Sequence, residues 1–415
     1  MNRTLFPHFF AFLLTGGLLA YPGSCLDLLL RDFAWSPALF GVAMMLQGGF
    51  SFIGSRFAGR RCGGESYRIW VARSLWFLGA GVVLYYFADW TTLPLLKALN
   101  APEYVLIAAR MAGICFLGFG IGTNGILNNT AALVSSHPSF GLNLLNMGFT
   151  AGAVLFPFTT SQYLRLPGLT DGTIAWRLPA VALVVTYALL SVYVLQSAHL
   201  SQPPPVHSDE HAGVQKSLPL PVLAASLVLF CYVGSEINLS NSLGLISEFM
   251  FGFSNGDARV ASSIFWAGLL SARLYFCFRS PPAQSYPLVT LGLSSICLVL
   301  FGLLFARAFS DFRDALFMSR LIIFTLGACI GGMYSLALGS LTVFFDVSKS
   351  RHYANLTVLS GVAGAVLLPF TYGQLSNLIG LAHATWFIVV TLSGMFVGAA
   401  LLHYGSRRSR SVASV

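Results

Sequence analysis

The chain has 415 residues, of which 56% are apolar and only 9% carry a charged side chain. A soluble domain carries roughly 25% charged residues, because charged groups keep its surface hydrated. This composition therefore excludes an ordinary soluble protein. The formal net charge of +9 could suit a polyanionic partner, but the basic residues lie in short segments between apolar runs. With a mean hydropathy of +0.75, the sequence predicts an all-α membrane protein that binds no nucleic acid.

Apolar runs long enough to cross a bilayer follow one another along the chain. A transmembrane helix needs about 20 predominantly apolar residues. About twelve segments of the sequence meet that need, and the longer ones can be accommodated by tilt. The predicted spans are 7–30, 37–57, 68–88, 104–134, 142–164, 176–197, 219–246, 258–278, 286–306, 314–345, 352–378 and 383–404.

The basic residues predict the orientation of these spans. With the N-terminus inside and twelve crossings, three basic groups fall on one side of the membrane, as the positive-inside rule requires. We therefore expect both termini in the cytoplasm, in a bacterial inner membrane or a plasma membrane. The groups are Arg56, Arg60, Arg61 and Arg68; Lys349 and Arg351; and Arg407, Arg408 and Arg410.

A polar segment in the middle divides the twelve spans into six and six. Ser201–Ser217 is rich in proline, serine and charged residues, which is typical of a flexible linker. The predicted domains are an N-terminal six-helix bundle over 1–197, a cytoplasmic linker over 198–218, a C-terminal six-helix bundle over 219–405 and a basic cytoplasmic tail over 406–415.

The two halves resemble each other in sequence. The run Ala-Gly-Ala-Val-Leu-Phe-Pro-Phe-Thr that starts at Ala151 recurs at Ala363 with one change, an offset of 212 residues. Arg110 and Arg320 open matching spans at an offset of 210. Two pseudo-symmetric six-helix bundles are the architecture of the major facilitator superfamily, whose substrates bind near the bilayer midplane. We interpret the Ala-Gly-Ala runs themselves as helix-packing elements.

Among the charged residues inside predicted spans, where charge is costly and usually functional, four stand out: Asp27, Arg110, Glu236 and Arg320. Asp27 and Glu236 are the candidate proton-coupling groups, because desolvation disfavours the charged form of a carboxylate and permits proton exchange. A structural carboxylate held by a hydrogen bond or an arginine is the alternative. For Arg110 and Arg320 we favour side chains that reach the outer membrane interface.

Uncharged polar and aromatic residues form a second candidate set. Amides donate and accept hydrogen bonds, which suits a polyhydroxylated solute, and aromatic faces suit a sugar ring. Asparagines can equally join helices to one another. The candidate solute-binding residues are Asn124, Asn128, Asn146, Tyr232, Asn238, Asn241, Trp266 and Tyr334.

Three segments resemble the fucose/galactose/glucose–proton symporter family of the major facilitator superfamily. They are Phe230–Glu236, Gly141–Asn146 and Leu26–Leu29. The resemblance implies proton-coupled sugar transport, with Asp27 in the coupling role. The chain departs from that family in its fourth helix, where Asn124 occupies the position of a carboxylate.

The loop after the second span resembles another superfamily element. Gly59-Arg60-Arg61 is present, but Arg56 stands where an acid is usual, and Ala272-Arg273-Leu274 is the matching segment of the second half. We predict that Arg56, Arg60, Arg61 and Arg273 form a cytoplasmic gate, with Asp346 as a candidate partner. A basic loop that only orients the protein is the alternative.

Function can be narrowed to transport. The sequence contains neither a nucleophile motif, nor a phosphate-binding loop, nor metal-ligand spacing, so we expect no enzyme, no cofactor and no metal. The seven cysteines lie mostly in apolar runs and are predicted to be packing residues. The favoured function is a monomeric, proton-coupled carrier of a small polar solute, with sugar preferred. A proton-driven exporter or a uniporter of an amphipathic metabolite or drug is the alternative, and a membrane receptor is remote.

Overall fold

The structure is a computed structural model that describes residues 5–61, 66–88, 103–133, 138–164, 175–197, 218–279, 281–308, 316–345 and 347–413. Within these ranges the regular structure is helical throughout, and no residue is in a strand. The predicted all-α class is therefore confirmed.

In the part of the first half that the structure describes there are six long helices, and a short 3₁₀ turn at Ala175–Arg177 precedes the sixth. Their bounds follow the predicted spans closely, because apolar composition determines where a chain can cross a bilayer. They are α1 (Phe6–Phe33), α2 (Pro37–Arg61), α3 (Tyr67–Phe87), α4 (Glu103–Leu133), α5 (Pro138–Tyr163) and α6 (Leu178–Gln196).

The second half repeats the pattern, with one span broken into two helices. The tenth predicted span is interrupted between Gly331 and Met333. The helices are α7 (Leu220–Phe251), α8 (Asn255–Phe278), α9 (Tyr286–Ala308), α10 (Leu316–Gly331), α11 (Met333–Phe344), α12 (Val347–Ile379), the single turn α13 (Leu381–Ala384) and α14 (Trp386–Ala413).

The helices have the length and composition of membrane spans. Ten segments of the described chain are long and apolar enough to cross a bilayer, with α10 and α11 counted as one. α5 and α8 add 26 and 24 residues of helix. The chain is therefore an integral membrane protein.

Contacts divide the chain into two compact units that differ from a simple division at the linker. The first unit contains residues 1–21 and 42–210, and the second contains residues 22–41 and 211–415. The end of α1 and the start of α2 therefore pack with the second unit. The predicted linker lies outside the described residues, except for Leu218.

α1 changes unit at a kink. Pro22 lies inside the helix, and Cys25 has non-helical dihedrals of φ −141° and ψ 21°. Proline has no N–H to donate, and its ring clashes with the carbonyl four residues earlier. The sequence Pro22-Gly23 thus separates the segment that packs in the first unit from the segment that packs in the second.

The repeated Ala-Gly-Ala runs make close helix contacts in both units. A Cβ atom on Gly152 would overlap the backbone carbonyl oxygen of Leu13, so α5 lies directly against α1. A Cβ atom on Gly364 would overlap the carbonyl oxygen of Phe230, so α12 lies directly against α7. The packing interpretation of these runs is confirmed.

The structure shows the surroundings of Arg110 and Arg320, the two arginines expected to reach the membrane interface. Arg320 lies on α10, and its Nη2 binds Asp257 Oδ1 of α8 at 2.7 Å. Arg110 is 5% exposed and buried within the first unit. Both cations have protein neighbours because helix packing brings them there, which sequence position alone does not reveal.

The cysteines behave as packing residues where they are described. Cys25, Cys231, Cys297 and Cys329 are buried thiols, and Cys115 is half-buried. Cys62 and the side chain of Cys277 lie outside the described part of the structure.

Candidate functional site

Glu236 lies at the middle of α7, with similar lengths of helix before and after it. Its Oε1 lies 3.6 Å from Nη2 of Arg273 on α8, and Glu236 is 8% exposed. Tyr232, one turn earlier on α7, hydrogen-bonds to Glu236 and accepts a hydrogen bond of 3.4 Å from Arg273 Nη2. Three polar groups thus satisfy one another inside the second unit.

A fourth residue that interacts with Tyr232, Glu236 and Arg273 lies next to the break in the tenth span. α11 begins at Met333, directly after Gly331-Gly332, and Tyr334 follows in its first turn. The ring of Tyr334 lies 6.2 Å from the ring of Tyr232, centroid to centroid. Tyr334 also interacts electrostatically with Glu236 and Arg273. We call Tyr232, Glu236, Arg273 and Tyr334 the central cluster.

A row of polar contacts along α7 and α8 holds this cluster in place. Arg259, Trp266 and Arg273 recur every seven residues on α8, which keeps them close to one helix face. Trp266 Nε1 donates to Ser240 Oγ of α7 at 2.8 Å. The two helices run antiparallel, so Arg273 faces Glu236 while Arg259 lies beside Glu248.

Asp27 belongs to a separate group at the other end of α8. Its Oδ2 accepts a hydrogen bond of 2.8 Å from Arg259 Nη2, and both side chains are partly buried. Asp27, Arg259 and Glu248 line one small recess, together with Gly23 and Gly244. We call Asp27, Glu248 and Arg259 the acidic recess, because it contains two carboxylates and one cation.

The acidic recess and the central cluster are distinct sites. Arg259 and Arg273 are fourteen residues apart on one helix, or about 21 Å at 1.5 Å per residue. Asp27 and Glu236, the two carboxylates predicted to couple protons, therefore use different arginines at different levels of the second unit.

The first unit brings Asn124 and Asn128 together in a hydrogen-bonded chain. His8 Nδ1 lies 2.6 Å from Asn128 Oδ1, and Asn128 Nδ2 donates to Asn124 Oδ1 at 2.9 Å. Asn124 Nδ2 donates to Thr15 Oγ1 at 3.1 Å, and Thr15 donates to the carbonyl of Ala11. We call His8, Asn128, Asn124 and Thr15 the amide network. All four side chains are buried.

The other predicted solute-binding residues are dispersed. Asn238 and Asn241 are buried on α7, and the Nδ2 atom of Asn238 has no hydrogen-bond partner among the described residues. Asn146 is exposed on α5. Trp266 is buried, with its indole N–H bound to Ser240.

The described residues of the predicted cytoplasmic gate lie on α2 and α8. Arg56 and Arg61 are exposed in the last two turns of α2. Arg273 lies inside α8, within the predicted span 258–278, and is partly buried and paired with Glu236. The side chain of Arg60 and the whole of Asp346 lie outside the described residues.

Three residues of these sites were not identified from the sequence: His8, Glu248 and Arg259. Each lies close to the end of a predicted span, where charged and polar residues are common. The seven-residue spacing of Arg259, Trp266 and Arg273 was a usable signal. His8 offered none, because its partner Asn128 is 120 residues away in the chain.

Several solved structures share this arrangement of helices. A D-xylose–proton symporter is 13% identical, with a TM-score of 0.73 and coverage of 96% of both chains. A bacterial homologue of the iron transporter ferroportin, inward-facing, is 14% identical, with a TM-score of 0.66 and coverage of 98% of this chain and 99% of its own.

A bacterial homologue of the human lysosomal transporter Spinster is 13% identical, with a TM-score of 0.66 and coverage of 97% of this chain and 96% of its own. No protein-family model matches the chain, and no curated protein sequence matches it significantly. The structural similarities show the fold. It is the twelve-helix major facilitator fold that the sequence predicts.

Proposed function

We propose that this protein is a secondary transporter that moves a small polar solute, with sugar as the favoured class, by proton-coupled alternating access. The observation that carries the proposal is the central cluster: a carboxylate at the middle of one membrane helix, paired with an arginine of the next helix, beside the interrupted tenth span. Charged residues at that depth are costly and are characteristic of substrate and ion pathways.

The tyrosines next to the interrupted tenth span support a binding role. The interruption is one residue wide: Gly332 keeps near-helical dihedrals of φ −87° and ψ −15°, and its carbonyl accepts a hydrogen bond of 3.2 Å from Leu336 N–H. It is a local irregularity of the helix beside the central cluster. Gly331 and Gly332 lie at the break, and Tyr334 follows it. The phenol groups of Tyr232 and Tyr334 would provide both aromatic faces and hydroxyl groups to a sugar ring.

The Glu236–Arg273 pair provides a mechanism for coupling. Arginine keeps its charge at all physiological pH values, whereas a carboxylate can take up a proton. Protonation of Glu236 would remove its attraction to Arg273 and free the guanidinium and Tyr232 for a solute hydroxyl. Solute binding and proton binding would then depend on each other, as coupled transport requires.

Asp27 would act in the same way at the acidic recess. Its bond to Arg259 joins the second segment of α1 to α8, and Glu248 lines the same recess and interacts electrostatically with the same arginine. Protonation of Asp27 would break its salt bridge and release that segment, and Arg259 would then pair with Glu248. The two carboxylates would thus couple protons to different movements.

The remaining assignments follow from this role. The partners would be the solute, protons and the lipid bilayer, and the protein would act as a monomer, without a cofactor and not as an enzyme. Both termini would face the cytoplasm, in a bacterial inner membrane or a plasma membrane.

Asn238 and Asn241 are further solute contacts, whereas Asn124 and Asn128 would serve through the amide network. Asn146 and Trp266 remain candidate contacts, and Arg56, Arg60 and Arg61 remain candidates for the cytoplasmic gate.

Uptake by purified protein in liposomes tests the proposal. A panel of sugars that includes D-xylose is offered with and without an inward proton gradient. We expect one sugar to accumulate only with the gradient. Glu236→Gln and Asp27→Asn should abolish accumulation but retain exchange of labelled for unlabelled sugar. Asp257→Asn, which also removes an ion-paired carboxylate of α8, is the control and should still accumulate sugar.

Other results would select the alternatives. Saturable uptake that ignores the gradient would indicate a uniporter and make both carboxylates structural. Transport of amphipathic compounds, with no transport of any sugar in the panel, would contradict the sugar assignment. A protein that moves neither class would contradict transport itself.

A further inference from the structure

The first unit contains a buried titratable residue that the proposed mechanism does not use. His8 lies in the first turn of α1 and is 1% exposed. Histidine is the side chain whose charge normally changes between about pH 5 and 8. Its hydrogen bond to Asn128 is the first step of the amide network.

The direction of the hydrogen bonds determines where the proton of His8 lies. Asn128 uses its N–H group to reach Asn124, and Asn124 uses its own to reach Thr15. The carbonyl oxygen of Asn128 therefore faces His8 and requires a donor. His8 supplies it from Nδ1–H, which leaves Nε2 as the atom that can gain or lose a proton.

Proton binding at Nε2 is compatible with the network. Both the neutral Nδ1–H imidazole and the imidazolium donate to Asn128, so protonation leaves each hydrogen bond in place. The bond to Asn128 becomes charge-assisted, and such bonds are about twice as strong as neutral ones. The amide network is therefore suited to hold a histidine that changes charge.

In the described part of the chain His8 has hydrogen-bonding and aromatic neighbours but no counter-ion. Among the described residues no acid or base forms an ion pair with His8. The titratable group that the structure places against it is Tyr67 of α3, with ring centroids 6.1 Å apart. The hydroxyl of Tyr67 donates to the carbonyl of Leu127 at 2.7 Å.

A buried cation without a counter-ion is strongly unfavourable. The protonated form of His8 therefore belongs to a different arrangement, in which water or an acid reaches the ring. Proton binding would favour that arrangement, because a ligand shifts a protein toward the state that binds it better.

We propose that His8 is a proton-binding residue of the transport cycle, located in the first unit and held by the amide network. The inference rests on the transport function proposed above. His8 accepts a proton on Nε2 and returns it when the arrangement described here is restored. The proton sites of the transporter would thus include an imidazole in addition to the carboxylates of the second unit.

Nitrogen-15 NMR of histidine-labelled protein in liposomes tests proton binding directly, without any solute. The signal lost in His8→Gln identifies His8, and His383→Gln removes an exposed histidine as the control. We expect the neutral ring of His8 to carry its proton on Nδ1 and to become doubly protonated on acidification. A proton on Nε2 in the neutral form, or no titration while the protein stays folded, would overturn the proposal.

Asn128→Asp provides a second test that does not depend on removing the histidine. The new carboxylate is a counter-ion for the imidazolium, so the doubly protonated signal should persist at a pH where the wild-type signal is neutral. An unchanged titration would show that the ring is not controlled by this contact.

Transport connects the proton to the cycle. A gradient of one pH unit supports about tenfold accumulation for each coupled proton. We expect His8→Gln to lower the accumulation of the sugar identified above by about tenfold and to retain its exchange, whereas His383→Gln changes neither. Unchanged accumulation in His8→Gln would overturn the role in transport. A wild-type protein that moves no solute would contradict the proposed function, while the NMR titration would still decide whether His8 binds a proton.

Discussion

The amide network of the first unit and the central cluster of the second both place polar groups in a buried environment, but they stabilise those groups by different interactions. Each joins neighbouring helices through buried polar groups. The amide network does so with a chain of neutral donors and acceptors that begins at His8. The central cluster does so with an ion pair between Glu236 and Arg273, which Tyr232 supports.

The difference determines how each site responds to the loss of one member. A neutral hydrogen bond contributes about 1 kcal/mol net, whereas breaking a buried ion pair costs about 3–5 kcal/mol because a charge is left unpaired. We therefore expect the central cluster to be sensitive to charge. The amide network should be sensitive mainly to hydrogen-bond geometry.

Removal of Arg273 should have the largest effect. Arg273→Met leaves the carboxylate of Glu236 without its cation, and we expect a loss of about 3–5 kcal/mol in stability. Thermal unfolding of the purified protein in detergent measures the change as a lower apparent Tm.

The double variant Glu236→Gln/Arg273→Met is the control for that prediction. It removes both charges, so most of the lost stability should return. A double variant that is as unstable as Arg273→Met would show that packing, and not charge, dominates the central cluster.

The glycine contacts test a feature that both halves share, the close helix packing at the Ala-Gly-Ala runs. Gly152→Ala and Gly364→Ala each force a methyl group against a backbone carbonyl of the adjacent helix. We expect each to cost about 1–3 kcal/mol, with similar changes in apparent Tm. Gly302→Ala, where a Cβ atom meets nothing within 4 Å, should be neutral or slightly stabilising. A large difference between the first two would contradict equivalent packing in the halves.

The amide network should lose less than the central cluster. Asn124→Ala removes the acceptor for Asn128 and the donor for Thr15. We expect a loss of about 1–2 kcal/mol, since neutral groups are left unpaired. Circular dichroism melting compares this variant with Arg273→Met. If the two losses are equal, the distinction between neutral and charged sites fails.

The smallest effect is expected at the α7–α8 contact between the two ion pairs. Trp266→Phe keeps an aromatic ring but removes the 2.8 Å hydrogen bond to Ser240. We expect a loss of about 1 kcal/mol or less and retained transport. Abolished transport would instead indicate that the indole contacts the solute.

The fold could be predicted from the sequence because each membrane helix is determined by a continuous run of apolar residues. Runs of about 20 apolar residues define the spans, and the repeated Ala-Gly-Ala segments indicated close contacts that the structure contains at Gly152 and Gly364. The identity of Asp27 and Glu236 as charges inside spans was equally visible.

Their partners could not be predicted in this way. Asp27 and Arg259 are 232 residues apart in the chain, and His8 and Asn128 are 120 apart. Such pairs depend on how helices pack and rotate, and the spacing within one helix does not contain that information. The break after Gly331 was also missed, because its flanking residues are as apolar as the rest of the span.

Proton flow during transport tests the central claim most directly. Liposomes containing the protein and an internal pH dye receive the sugar identified in the uptake panel, with no imposed gradient. Proton-coupled transport predicts that sugar addition acidifies the interior of wild-type liposomes and fails to do so with Glu236→Gln. Sugar entry without acidification in the wild type, or equal acidification with Glu236→Gln, would contradict the account.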